Sequence, residues 1–155
     1  MNSSIALVQL PLVREPGTQR ILTPEDAHRV CGDLAGLAQE CFHVLCLTAK
    51  HGLINRHLVT LGLADSALVH PREVFRPAVT DGASAVVLVH NHPSGDTTPS
   101  AEDVRITRQI VEAGKIMDIR VLDHVIVGRA IETAGDQPAR PPFLSLRENG
   151  LCAFA

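Results

Sequence analysis

His90 and His92, followed after a turn-rich stretch by Asp103, are the residues of this sequence best suited to chemistry. The run Ala85 to Val89 is continuously apolar and leads into His90, the pattern of a central strand covered on both faces. Strand side chains alternate, so His90 and His92 project to the same side at the strand's end. Two imidazoles so placed can share a metal ion. A catalytic zinc site takes three protein ligands, often His and carboxylate, and keeps a fourth position for water. The missing ligand is therefore an acid expected nearby in space.

Asp103 is the candidate, and its helix gives the reason. The stretch from about Ala101 to Met117 predicts a long helix. At roughly 100° per residue, Ile106, Ile110, Ala113 and Met117 form one apolar arc, which Val104 and Val111 extend. Arg105, Arg108, Gln109, Glu112 and Lys115 occupy the opposite half, with Ile116 the exception. Asp103 falls in the inward half, where a carboxylate is costly unless paired or bound to metal. Ser100 and Asp103 also read as a variant capping box that satisfies first-turn N–H groups. The two readings are compatible, since Ser100 can cap while Asp103 coordinates. Ser94 to Pro99 supplies turn chemistry that folds His92 back toward Asp103.

The surrounding elements must hold this group. Thr23-Pro24-Glu25-Asp26 opens a helix expected to run to about Gln39, despite Gly32 and Gly36. Phe42 to Thr48 and Leu53 to Gly62 read as strands joined in a hairpin at Lys50-His51-Gly52. His70-Pro71 opens a short helix with Val74 and Phe75 inward, and Pro77 is expected to kink or end it. A strand follows from Ile119 to Val127, and the text is loop-like after Gly128. Near the start, Ile5 to Val13 is apolar enough for an edge strand or arm. The class is α/β, with a mixed central sheet flanked by helices. Residues 1–22 read as an N-terminal arm, 23–150 as the domain and 151–155 as a tail.

Composition narrows the function classes. The 155 residues are 45% hydrophobic and 20% charged, which suits one domain and excludes a wholly disordered chain. No apolar run approaches the roughly 18 residues of a membrane span, and no basic-then-apolar leader is seen. The four cysteines form no C-x-x-C pair and read as reduced packing residues of a cytoplasmic protein. Eight His stand against four Phe and no Tyr or Trp, with a net charge of −3. Nucleic-acid binding rests on basic surface and, for single strands, stacking rings. Neither is present in bulk, so nucleic acid is not the expected partner.

The stretch His90-Asn91-His92-Pro93-Ser94-Gly95-Asp96 through Pro99-Ser100 to Asp103 resembles the JAMM (MPN+) metalloprotease signature. More narrowly, it is similar to the RadC-like branch of the JAB/MPN superfamily. Val69-His70-Pro71-Arg72-Glu73-Val74-Phe75, Asp123-His124-Val125-Ile126-Val127-Gly128 and Ser145 to Gly150 extend the likeness, which covers roughly residues 23–150. The resemblance implies a single MPN (JAB)-like domain and a Zn²⁺-dependent hydrolase of peptide or isopeptide bonds. His90, His92 and Asp103 are then the metal ligands. The family mechanism also implies an upstream Glu acting through a metal-activated water. Glu40 matches by position, and Glu73 competes because it lies in a family-like motif. The Ser100 hydroxyl would steady the oxyanion. Longer members carry a helix-hairpin-helix region before this domain, for which the chain leaves no room, so a DNA role tied to that region loses support.

Other readings are weighed by their parts. The H-x-E with P-C-x-x-C of zinc deaminases and the H-E-x-x-H of zincins are absent. The letters His90-Asn91-His92 invite an HNH nuclease, but that motif is spread along a chain. An alternative of another class is a nucleic-acid-associated accessory domain with a structural or vestigial metal site. His124 reads equally as support for a ligand or as a satisfied core group. His28, His43, His51, His57 and His70 read as solvated or structural. The expected partner is a peptide or protein substrate, with no membrane involved.

Overall fold

The computed structural model describes residues 19–62, 69–132, 135–136 and 138–154. The strand or arm expected over Ile5 to Val13 lies outside the described residues. Helix α1 (Pro24–Cys31) begins where Thr23 and Asp26 cap each other. Thr23 Oγ1 accepts the Asp26 N–H at 3.2 Å, and Asp26 Oδ2 accepts the Thr23 N–H at 3.0 Å. The α-helix does not reach Gln39. It stops at Cys31 and tightens into a 3₁₀ turn over Gly32–Gly36. The two glycines explain the switch, because each weakens an α-helical interior by about 1 kcal/mol relative to Ala. Arg56 reinforces it by donating to the Val30 carbonyl at 2.9 Å and to Asp33 at 2.8 Å.

Strands β1 (Cys41–Leu47) and β2 (Leu53–Leu61) form the expected antiparallel hairpin. Its turn puts His51 at φ 63°, and Thr48 N–H donates to Gly52 O at 2.9 Å. Helix α2 (Pro71–Thr80) does not end at Pro77, but runs on to Thr80. Pro77 lacks the N–H that would meet the Glu73 carbonyl, and the helix continues past that lost bond for three more residues. Its own carbonyl accepts the Asp81 N–H at 2.9 Å, which closes the helix.

Strand β3 (Ala85–Asn91) is the buried centre predicted from its apolar run, with every residue covered. It pairs antiparallel with β1 and parallel with β4 (Arg120–Val127), the crossover being made by α3 (Ala101–Met117). A last strand, β5 (Phe143–Ser145), pairs antiparallel with β4 and gives the order β2-β1-β3-β4-β5. This β5 replaces the loop expected after Gly128. Three residues behind two prolines are too short to show a period of two. The architecture is α/β with a mixed sheet.

The alternation of β3 builds two cores. Val86 and Leu88 face α2 and α3, together with Phe42, Val74, Phe75, Ile106 and Ile110. Ala85, Val87 and Val89 face the other way, onto Ala27, Cys31 and Leu34 of the α1 segment. His90 continues the Val86–Leu88 row, so it emerges on the α3 side. On α3 the inward arc is Asp103, Ile106, Thr107, Ile110 and Val111. Met117, expected within that arc, is 44% exposed because the helix ends there and its last turn clears the sheet. No helix among the described residues is long and apolar enough to cross a membrane.

Candidate metal centre

The parallel β3–α3–β4 unit brings four polar side chains to the end of its central strand. His90 Nε2 lies 3.3 Å from Asp103 Oδ1, and His92 Nε2 lies 3.1 Å from Asp103 Oδ2. The two Nε2 atoms are 3.0 Å apart. Glu40 Oε1, just before β1, stands 3.7 Å from His90 Nε2. One ligand atom from each of these four residues lies within 4.8 Å of all the others.

Both sequence readings of Asp103 coexist on one carboxylate. Ser100 Oγ accepts the Asp103 N–H at 3.0 Å, and Asp103 Oδ2 accepts the Ser100 N–H at 2.9 Å. The capping box fixes the rotamer that presents the carboxylate to the histidines. The turn between His92 and Asp103 is pinned independently. Gly95 N–H donates to His92 O at 2.9 Å, Arg129 N–H to Gly95 O at 3.0 Å, and the Arg129 guanidinium to Ser94 O at 3.0 Å. Gly128 makes that approach feasible, since a Cβ there would sit 2.3 Å from Gly95 O and 2.6 Å from the Thr97 methyl.

The protons of this group decide whether a cation fits. His92 Nδ1 is 2.7 Å from the Asp96 carbonyl oxygen, which can only accept. The ring therefore donates from Nδ1, and its Nε2 lone pair faces a carboxylate oxygen and a second imidazole nitrogen. Acceptors aimed at one another repel unless a cation lies between them. The same logic appears in the titration of the group. Burial pushes the Asp103 carboxyl up, but the close approach of His90 and His92 and the Ser100 N–H hold it well below the carboxylate range. Burial pulls His92 down, while Asp103 and the Asp96 carbonyl raise it, with a net increase. In the absence of a metal, a proton plays the cation's part. Two imidazoles, one carboxylate and a nearby second carboxylate form a donor set that fits zinc.

The structure separates the two candidate glutamates. Glu40 stands in the cluster, its side chain 25% exposed. Glu73 lies on α2 between Arg72 and Arg76, which approach it at 3.6 and 3.3 Å. Glu40 is held there by a residue to which the sequence reading gave no role. Buried Asn91 accepts the Cys41 N–H at 2.7 Å and donates to Gln39 O at 2.9 Å, clamping the backbone on both sides of Glu40. Part of the signal was present: a polar residue between two same-side histidines turns to the opposite face of the strand.

His124 is both a core group and the hydrogen-bond partner of His90. Its Nε2 lies 2.7 Å from His90 Nδ1, and its Nδ1 lies 2.6 Å from Thr107 Oγ1. Burial, and after it the neighbouring His90, push its pKa well below the ordinary histidine value. Thr107 was also missed. Its position one helical turn after Asp103, on an apolar arc, was the available clue. Asp123 fixes His124 from behind, accepting the His124 N–H at 2.7 Å and the Ser145 hydroxyl at 2.6 Å. The remaining histidines with described partners are structural. His43 Nδ1 accepts from Arg56 at 3.2 Å, His57 Nε2 meets Asp81 at 2.6 Å, and His28 packs on Phe143.

The chain is also similar to known proteins. The family model described as RadC-like JAB domain matches residues 21–149. A UPF0758 protein of Syntrophomonas wolfei is 50% identical over 113 residues, which cover 70% of this chain and 48% of the relative. A UPF0758 protein of Alkaliphilus metalliredigens is 46% identical over 110 residues, 70% of this chain and 47% of its own. In Rubrobacter xylanophilus another is 41% identical over 144 residues, 92% of this chain and 58% of its own. The chain thus spans about half the length of the curated relatives it matches. With the match extending over most of its length, the chain belongs to the RadC-like JAB domain family.

Proposed function

We propose that this domain is a zinc-dependent hydrolase of the JAMM type that cuts a peptide or isopeptide bond. The observation that carries the reading is the convergence of Glu40, His90, His92 and Asp103 at the mouth of the central strand. His90, His92 and Asp103 would hold the ion. Zinc bound there supplies a Lewis acid for the carbonyl and lowers the pKa of a water toward neutrality. Glu40, on the solvent side of the cluster, takes the attacking water's proton and passes it to the leaving amine. Ser100 uses its oxygen to accept the Asp103 N–H, which leaves its own O–H to donate to a developing oxyanion at the start of α3. The substrate is a peptide or protein. Four free, buried cysteines support a cytoplasmic setting.

The test is elemental analysis of protein purified without chelators, paired with a quenched isopeptide or peptide substrate. About one zinc per chain is expected, with cleavage lost in Glu40→Gln while the metal stays bound. A wild-type protein without metal overturns the reading. Salt-sensitive DNA binding that survives His90→Ala, without any peptide cleavage, transfers the function to the accessory-domain class.

A further inference from the structure

The chain Asp103 carbonyl, Thr107, His124 and His90 runs through the interior from the ligand helix to a ligand on the central strand. Its proton positions follow from one fixed point. The Asp103 carbonyl oxygen carries no proton, and Thr107 Oγ1 lies 2.6 Å from it, so the hydroxyl hydrogen must lie on that line. A threonine has only one such hydrogen. Toward His124 Nδ1, also at 2.6 Å, the hydroxyl can therefore only accept, and Nδ1 must bear the N–H. The His124 ring is fully buried, and its nitrogens meet Thr107 and His90 with no carboxylate bonded to either, so the ring carries a single N–H and its Nε2 is bare. His90 Nδ1, 2.7 Å away, must then donate. His90 is left with its lone pair on Nε2, the atom that faces His92 and Asp103.

We infer that Thr107 and His124 are positioning residues that set the tautomer of His90, with the backbone carbonyl of the ligand Asp103 as the origin of the relay. The opposite arrangement fails on the same distances. If the Thr107 hydroxyl donated to His124, two acceptor oxygens would face each other at 2.6 Å, and His90 would present an N–H to the metal. His92 needs no relay, because the Asp96 carbonyl fixes its tautomer directly. His90 lies deeper, beyond reach of any described backbone carbonyl on its Nδ1 side, and the relay substitutes for one. Because Thr107 sits one helical turn after Asp103, the orientation of one ligand is coupled to the backbone that presents another.

This inference rests on the metal-site reading, but its test does not depend on turnover. Long-range ¹H–¹⁵N correlation of the imidazole rings in metal-free protein reports each tautomer directly. His90 and His124 are expected in the Nδ1–H form in wild type. Thr107→Val keeps the shape and removes the acceptor, so His90 should move to the Nε2–H form or a mixture. Zinc affinity, measured by competition with a chromophoric chelator, should fall about 10- to 100-fold. Thr107→Ser restores the hydroxyl and should restore both readouts. An Nε2–H form of His90 in wild type overturns the proposal, as does a Thr107→Val protein with unchanged tautomers. The expected tautomers in a protein that binds no zinc would leave the relay standing and remove the hydrolase reading instead.

Discussion

Among the described residues, two clusters bring metal-ligating atoms within 4.8 Å of one another, and they differ in kind. One is Glu40, His90, His92 and Asp103; the other is Cys46, His57 and Asp81 on the β1–β2 side of α2. In the second, Asp81 serves as the acceptor for donors around it. Asp81 takes His57 Nε2 at 2.6 Å, Asn55 Nδ2 at 3.3 Å and the Cys46 thiol. Burial first, and Asp81 second, push the Cys46 thiol up to about 12, so it keeps its proton and serves as a donor. In the first cluster, outside hydrogen bonds consume the donors: Asp96 takes the His92 N–H, and the relay takes the His90 N–H. Proximity alone therefore does not make a metal site. What distinguishes one is a set of acceptors whose own hydrogens have been drawn away.

The largest expected effect tests that contrast directly. His92→Ala should lower bound zinc from about one per chain to about none, whereas His57→Ala should leave it unchanged. Elemental analysis reads both, and metal loss in His57→Ala would break the distinction. Next in size is the clamp behind Glu40. Asn91→Ala leaves the buried Cys41 N–H without its partner and should cost about 1–3 kcal/mol in denaturant unfolding. A wild-type midpoint would mean that Glu40 is held by something else.

A smaller effect sharpens the description of the second cluster. If its thiol is buried and protonated, Cys46 should resist alkylation until the protein unfolds, and mass spectrometry of the labelled peptide would show it. Smallest is an alkaline dependence of stability. A thiol raised from 9.0 to about 12 in the folded state stabilises fully below 9.0, and that contribution is lost as pH rises toward 12. Under reducing conditions the urea midpoint of wild type should therefore decline above pH 9.0, and Cys46→Val should decline less steeply. Parallel curves would remove the thiol from the account.

The clustering of His90, His92 and Asp103 was readable because the three lie within one strand, one turn and the first turn of one helix. Local rules of alternation and helical phase reach that far. The family likeness extended the reading to Glu40, across a separation that no local rule spans. The parts that escaped are tertiary. Asn91 meets the Glu40 segment from 50 residues away in sequence, and Thr107 finds its partner only when β4 lies beside β3. His124 could not be placed between core and support because it is both. The misjudged helix end at Cys31 and the unforeseen β5 have a common origin. In short segments, glycine or proline and tertiary pairing outweigh the periodic signal.

Gly128 carries a last consequence. It lies beyond β4, coordinates nothing and has no side chain, yet the His92–Thr97 turn is seated directly on its backbone. Alanine there would have to displace the Gly95 carbonyl, and the Arg129 bond that anchors it, before the metal position felt any change. The spacing between His92 and Asp103 is thus partly written at a site that a search restricted to His, Asp and Glu would pass over. For anyone redesigning this centre, the tolerance of the scaffold is set as much by an empty position as by the filled ones.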